Sequence, residues 1–396
     1  MEVISTLNLD GQAGFGGWCS VDLCLDRDAL CGGLQAVVGV APLRPTMPIL
    51  GNVLLDATGD GLTMTTTDLD FGVRCTVAAD VKSAGRTTLP VRKLAAIVRA
   101  MQEKTLFLAS TGGAVKISGG GSIFRMASLP VDDFPELPMP AEGSVAVALD
   151  AEEFLSLLRL VDYAQSGDAD RHILNGIHCR LEGNEMTFVA TDGRRLAAVS
   201  RPDSPGTGSL TIPARAVATL ETLLSGGTTA TLSFSARQVA FSISYATEEK
   251  SLATPRSVYL VSKLVDGVFP NYRQVIPGSA NYRVRLSREA LLKALQRVSL
   301  VSSGTAPSVL LRFSPNLLEL SASSSEYGEA HERLAVPFPE GEVLEIAFNP
   351  RYLIDPLRAV PEEEIFFELR DGLSPGVFRR NDSFLCVVMP LRTGAE

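Results

Sequence analysis

Histidine, tryptophan and cysteine are all scarce in this chain, and each scarcity closes a class of function. The six cysteines (Cys19, Cys24, Cys31, Cys75, Cys179, Cys386) are scattered over 396 residues, with no Cys-x-x-Cys pair, and Cys24 and Cys31 have no nearby histidine. Neither a zinc site nor a disulfide framework fits that spacing, so free and mostly buried thiols are expected. His172, His178 and His331 form no HExxH or other ligand spacing. No metal or cofactor is therefore expected. The glycines at 119–121 lack the Lys-Ser/Thr of a phosphate loop, and no Ser-His-Asp set or paired metal carboxylates can be placed. Catalysis is not expected; turnover sensitive to replacement of Asp192 would be its sign. No uninterrupted apolar run approaches the length of a membrane span. Glu2 opens the chain and no Lys or Arg precedes Arg27, so a secretory leader is not expected and a cytoplasmic location is. Charged residues make up only 20%, and 36 basic against 45 acidic side chains give −9. That excludes a basic coat protein for nucleic acid but leaves room for a local positive surface. With 17 Phe against 7 Tyr and 1 Trp, aromatics read as core rather than as an open stacking platform.

What the chain does have is internal repetition. Three segments open alike: LDRDALCGGLQAVVGVA from Leu25, LDAEEFLSLLRLVDYA from Leu149 and LSREALLKALQRVSLVS from Leu286. Asp26, Asp150 and Ser287 suit a helix N-cap. Leu30, Leu34 and Val37, then Phe154, Leu158 and Val161, then Leu291, Leu295 and Val298 form one apolar stripe per helix. A second helix recurs from LPVRKLAAIVRAM, IPARAVATLETLL and NPRYLIDPLRAV, with Pro90, Pro213 and Pro350 in the first turn. Leu94 and Ile97, Val217 and Leu220, and Ile354 and Leu357 take equivalent positions. The third copy carries an extra Pro356, expected to kink or shorten its helix. From first-helix Leu to second-helix Pro the separations are 65, 64 and 64 residues, a constancy that marks a triplication.

Alternating β-rich runs follow each helix, with turn chemistry at Gly59-Asp60-Gly61, Gly183-Asn184 and Ser314-Pro315-Asn316. The fold class is α+β: three similar domains, each with two helices packed on antiparallel sheets. The expected boundaries are 20–142, 147–277 and 282–392, with a flexible N-terminal extension at 1–19 and a short tail at 393–396. The linkers PVDDFPELPMPAEGS and DGVFPNYRQVIPGSANY each hold an Asp, a Phe-Pro pair and a further aliphatic-Pro pair. Neighbouring domains could continue their sheets edge to edge. Repeat counting fits a closed ring and an open solenoid equally. The six helical windows sum to +2 and the rest of the chain to −11. That balance suits weak phosphate contact without base readout, and it equally suits ordinary solvated helix faces.

HILNGIHCRLEGNEMTFVATDGRRLAAVS, RPTMPILGNVLL, LVDGVFPNYRQVIP and the closing VVMPLR together resemble the bacterial DNA polymerase III β subunit, the replicative sliding clamp, over residues 22–392. The resemblance implies a DNA-clamp fold and a head-to-tail homodimer closing a six-domain ring around double-stranded DNA, free to slide. It implies no active site and no cofactor. The partners it implies are the replicative polymerase α subunit, the clamp-loader δ subunit, other DNA polymerases, ligase and mismatch-repair proteins, with a small-molecule groove inhibitor conceivable. No membrane is involved, and the nucleoid is the place of work. A paralogous or inhibitor-resistant clamp serving as a DNA-linked scaffold is the alternative.

The resemblance also implies sites. A peptide groove would take Leu174, Thr191, Gly193, Arg194, Arg195, Leu196, Pro270, Gln274 and Val275 on one side, and Val387, Met389, Pro390, Leu391 and Arg392 on the other. Apolar anchors with a rim arginine suit a short Leu- and Phe-bearing peptide. Arg194 replaces a frequent family His, and Gln274 stands where a basic residue is common. Arg44, Arg171, His172 and Arg215 would contact DNA phosphates. Lys116, Ile123 and Arg125, together with Leu300 and Val301, would form the dimer interface.

Overall fold

The computed structural model describes residues 20–59, 61–111, 113–139, 145–246, 255–302, 307–381 and 383–392. The expected N-terminal extension 1–19 and the tail 393–396 lie outside the described residues, as does part of the first linker. The chain divides into two compact units, one of Met1–Pro138 with Ser244–Val261 and one of Met139–Ile243 with Ser262–Glu396.

In the first unit, Asp26 accepts hydrogen bonds from the backbone N–H groups of Asp28 and Ala29 and so starts helix α1, Arg27–Val38. Leu30, Leu34 and Val37 are its buried stripe. Helix α2, Val91–Ala100, packs against it and buries Val91, Leu94 and Val98. Ile97 is only half-buried, because Val98 takes the core-facing register. An antiparallel sheet runs in the order Asp80–Ser83, Asp22–Asp26, Thr105–Thr111, Ala114–Gly119, Ser122–Ala127. Strands Asn52–Thr58, Gly61–Thr67 and Phe71–Ala78 form a meander, and Gly85–Pro90 pairs with the first of them.

The second unit holds the remaining copies: α3, Ala151–Arg159; α4, Ala214–Leu224; α5, Arg288–Val298; and α6, Pro350–Ala359. Asp150 and Ser287 cap α3 and α5 as their residue types dictate. Within each copy the two helices pack together, α3 on α4 and α5 on α6. Pro356 does not shorten its helix as the sequence allowed: α6 is as long as α2, ten residues, and runs through the proline to Ala359. Pro356 is buried, so its ring gains apolar burial where one backbone hydrogen bond is forfeited.

The two copies share a sheet. Strand Gly176–Thr191 pairs with Arg195–Pro213, with a register break at Gly183/Glu185 where the turn residues were placed. Arg195 to Val199 then pair with Val388 to Phe384 of strand Phe384–Val388. Gly376–Asn381, Glu364–Leu369 and Tyr282–Ser287 continue outward. A separate four-stranded sheet runs Gly328–Ala335, Leu317–Ser324, Val309–Ser314, Leu344–Phe348. Its hairpin turns at Pro315-Asn316, with Asn316 at φ 59°. Phe154 anchors one core with Phe188 and Phe241, ring centres 5.7 and 6.0 Å away. Phe367 stacks on Phe378 at 4.2 Å in the other.

Candidate functional site

The shared sheet brings residues 174–199, 269–276 and 377–389 to one place. The chain reverses between Thr191 and Arg195 through side-chain-to-backbone bonds. The Asp192 Oδ1 accepts from the N–H groups of Arg194 (2.8 Å) and Arg195 (3.0 Å), while Thr191 Oγ1 accepts from Gly193 N–H (3.1 Å) and donates to Arg195 O (2.7 Å). Gly193 supplies a φ of 84°, which an L residue adopts only with strain.

Arg195 lies beneath this turn rather than on a rim, at 6% exposure. Its Nε reaches Asp192 Oδ2 at 3.2 Å, Nη1 reaches Asp355 Oδ2 on α6 at 2.6 Å, and Nη2 donates to the Tyr163 carbonyl at 2.5 Å. Its guanidinium stands 5.4 Å from the ring of Tyr163 and 4.8 Å from that of Tyr352. Fork geometry and planarity let one arginine satisfy two carboxylates, a carbonyl and two rings, which lysine could not do. Arg194 is exposed and hydrogen-bonds the Tyr352 hydroxyl, and its carbonyl accepts from Met389 N–H at 2.9 Å.

Leu196 and Val387 are buried in one apolar cluster with Val189, Ala198, Phe269, Tyr272 and Val377, and half-buried Leu174, Ile276 and Leu385 pack against it. Val275 (51%) and Met389 (44%) are exposed. Pro270, Gln274 and Arg392 are exposed, while Pro390 and Leu391 are half-buried. Leu391 N–H is tied to Ala347 O at 2.7 Å. The structure therefore gathers Leu174, Leu196 and Val387 into one apolar cluster, with Leu196 and Val387 buried and Leu174 half-buried. Phe269, Tyr272 and Ile276 were missed, although they sit in the VFPNYRQVIP stretch between and beside residues that were named. The Phe269 ring stacks on His178 at 4.5 Å, and His178 Nδ1 lies 3.1 Å from Thr211 Oγ1. Burial first, and then Arg180, lowers His178 to about 4, so it is neutral at pH 7 and stacks as an apolar ring.

The phosphate-contact candidates are less alike than their sequence positions suggest. Arg171 donates to the Asp192 carbonyl at 2.8 Å and lies 3.8 Å from Asp168, so it also braces the 191–195 turn. His172 and Arg215 are exposed in the second unit, the latter in the first turn of α4, and Arg44 is exposed in the first unit. At the expected dimer interface, Ser122–Ala127 is an outer strand exposing Ile123 (62%), and Lys116 sits directly across from Arg125. Leu300 is 80% exposed just past α5, and Val301 is half-buried. Cys75, Cys179 and Cys386 are buried free thiols, and Cys24 and Cys31 are free and half-buried. Cys19 lies outside the described residues. No group of three or more metal-ligating side chains is found among the described residues, and no described helix is long and apolar enough to cross a membrane.

Comparison with known proteins accounts for the whole arrangement. The sequence matches the DNA polymerase III beta subunit N-terminal domain over residues 21–138, its central domain over 148–271 and its C-terminal domain over 273–392. The beta sliding clamp of Chlamydia muridarum is 30% identical over 372 residues, 93% of this chain and 98% of that protein. The crystal structure of the Caulobacter crescentus clamp superposes with a TM-score of 0.84 at 31% identity, covering 94% of this chain and all of that one. That of the Bartonella birtlesii clamp bound to griselimycin gives 0.85 at 31%, with the same coverage. Triplicated helix pairs on antiparallel sheets and end-to-end similarity across three domain types lead to one conclusion: the chain belongs to the DNA polymerase III β-subunit family, the non-catalytic, DNA-binding sliding clamps that act as processivity factors.

Proposed function

We propose that two copies of this chain join head to tail into a ring that encircles duplex DNA, slides without reading sequence, and tethers the replicative polymerase. The same ring serves the clamp-loader δ subunit, other DNA polymerases, ligase and mismatch-repair proteins through one peptide groove, in the cytoplasm at the nucleoid. The domain limits 20–142, 147–277 and 282–392 belong to this reading. The observation that carries it is the apolar cluster that joins Leu174, Leu196 and Val387 from both sides of the expected groove, with Val275 and Met389 exposed. Leu and Phe side chains of a short peptide would bury against half-buried Leu174 and exposed Val275 and Met389, while Arg194, Gln274 and Arg392 read its polar backbone and charge. The Bartonella clamp was crystallised with griselimycin, and the reading includes a small-molecule ligand of this chain's groove.

Lys116 opposite Arg125 is a like-charge pair that an acidic partner surface would relieve, which supports an interface at the Ser122–Ala127 edge. Leu300 and Val301 form the other side. Arg44, Arg171, His172 and Arg215 make individually weak phosphate contacts. Light scattering across a dilution series tests the ring: a chain of 42.2 kDa should run near 84 kDa down to low concentration. Retention on circular but not linear DNA should follow. A monomer at every concentration overturns the ring, and a labelled Leu- and Phe-anchored peptide that fails to bind, or binds Met389→Asp as tightly as wild type, overturns the groove.

A further inference from the structure

The five-stranded sheet of the first unit carries an apolar row on its outward face. Cys24 pairs with Phe107, Phe107 with Ser118, and Ser118 with Ile123, so the four side chains stand in line across four strands. Their strand neighbours Leu23, Leu25, Leu106, Leu108 and Ile117 are buried, which places the row on the face away from the core. Phe107 is 46% and Ile123 62% exposed, and small Ser118 stands between them. Two large apolar side chains two strand spacings apart leave a notch about 10 Å across, room for an aromatic ring. Lys116 and Arg125 occupy the adjoining row of the same face.

Where the chain enters this sheet points to what covers the row. Ser20 is the first described residue, and the Ser83 hydroxyl donates to its carbonyl at 2.9 Å. Val21 donates to Ser110 Oγ at 2.7 Å and accepts from Ser110 N–H at 2.8 Å, so the entry point is pinned to the sheet itself. Four residues of strand separate Ser20 from Cys24, about 13 Å. The preceding residues hold Trp18 and Phe15, two and five positions from Ser20, with Gly16 and Gly17 between them. At about 3.3 Å per residue, and with the length of the side chains added, both rings can reach the row if the chain doubles back at Ser20. The same segment holds Glu2 and Asp10 and no Lys or Arg, a charge complementary to Lys116 and Arg125. A segment joined to the sheet at Ser20 meets the row at an effective concentration of about millimolar, an advantage over any free partner.

We propose that residues 1–19 dock on this row, with Phe15 and Trp18 anchored against Phe107 and Ile123 and the acidic side chains toward Lys116 and Arg125. The docked segment shields an apolar face beside the Ser122–Ala127 edge. It needs no second subunit and does not rest on the ring.

Trp18 is the only tryptophan of the chain, so the intrinsic fluorescence of the full-length protein reads the docking directly. Folded wild type should emit to the blue of its urea-unfolded state and be quenched by acrylamide severalfold less. Phe107→Glu, which puts a charge in the row at an exposed position, should redden the emission and raise quenching to near the unfolded level with circular dichroism unchanged. Phe107→Leu should keep the wild-type signal. Ser118→Glu is the second disruptor should Phe107→Glu fold poorly, and Leu43→Glu, at an 82% exposed position off the row, should change nothing. Trp18 as accessible in the folded protein as in urea overturns the docking, and so does a buried Trp18 that neither row variant releases. Emission that reddens on dilution, in step with dissociation seen by light scattering, overturns it as well and assigns the row to a second copy. A monomer with blue emission that Phe107→Glu abolishes upholds the docking and overturns the ring.

Discussion

The first and second copies contain the same turn, bond for bond. In the first, Asp68 accepts from the N–H groups of Asp70 (3.1 Å) and Phe71 (2.8 Å), and Thr67 Oγ1 accepts from Leu69 N–H and donates to Phe71 O, both at 3.0 Å. That is the arrangement of Thr191, Asp192, Gly193 and Arg195. The backbone even takes the same left-handed step, φ 85° at Leu69 and 84° at Gly193. Where the copies differ is in what leaves the turn. Phe71 enters an apolar core, whereas Arg195 ties the turn to Asp355 and Tyr163. Thr and Asp build the turn; the residue after it decides whether the turn is scaffold or the wall of a site.

Replacing that residue should give the largest effect. Arg195→Ala leaves Asp192 without its cation and Asp355 with only the exposed Arg351, 3.6 Å away, and should cost about 3–5 kcal/mol of unfolding free energy, read by urea titration. Phe71→Ala should cost a similar amount through a cavity. Volume-matched changes separate the mechanisms. Phe71→Met should be mild, costing under about 1.5 kcal/mol. Arg195→Met should keep much of the stability yet loosen residues 191–196 in hydrogen exchange and weaken peptide binding. Equal, purely additive behaviour of both methionine variants would break the contrast.

The aspartates should differ by less. Asp192→Ala and Asp68→Ala each remove two backbone bonds, and Asp192→Ala also strips buried Arg195 of one of its two carboxylates, so it should cost about 1–2 kcal/mol more in the same titration. Smaller again are the left-handed residues. Gly193→Ala forces an L residue to φ 84° with its Cβ 2.8 Å from Arg171 Nη1, a flexible tip that can move, and should cost about 1–2 kcal/mol. Leu69→Gly should stabilise, by less than about 1 kcal/mol, because relief of that strain slightly exceeds the glycine entropy cost. A destabilised Leu69→Gly would mean that Leu69 gains contacts its exposure does not suggest.

How far the sequence could be read follows from the same contrast. Helices were legible because capping and periodicity are local: Asp26, Asp150 and Ser287 all cap as their chemistry implies. That Pro356 leaves the length of its helix intact was not legible, because its burial compensates for a lost bond and burial is a tertiary fact. Leu174, Leu196 and Val387 came from resemblance, and they do meet in one apolar cluster. The depth of Arg195 was not legible, since its partners Tyr163 and Asp355 lie 32 and 160 residues away.

The smallest effect concerns how each linker phenylalanine docks. Phe134 joins Ile49 and Leu50 in a cluster against which Leu54 packs, and Phe269 stacks on His178, the residue at the equivalent strand position. The apolar partner is indifferent to pH; the imidazole is not. With His178 lowered to about 4 when folded, the unfolded chain binds a proton that the folded chain does not between there and the ordinary histidine value. The His178 contribution is therefore complete above about pH 6.5 and is lost as the pH falls toward 4. Glu221, pushed up to about 7 by burial and then by the charge of Asp162, acts with the opposite sign between about pH 4.5 and 7, so the total slope is not diagnostic and only the difference between proteins is. His178→Leu, which makes the second docking like the first, should lose less stability than wild type on acidification from pH 6.5 to 4.5 in matched urea titrations. Parallel curves for the two proteins would show that the His178–Phe269 stack opens before it titrates, and that the two linkers are held more alike than their partners suggest.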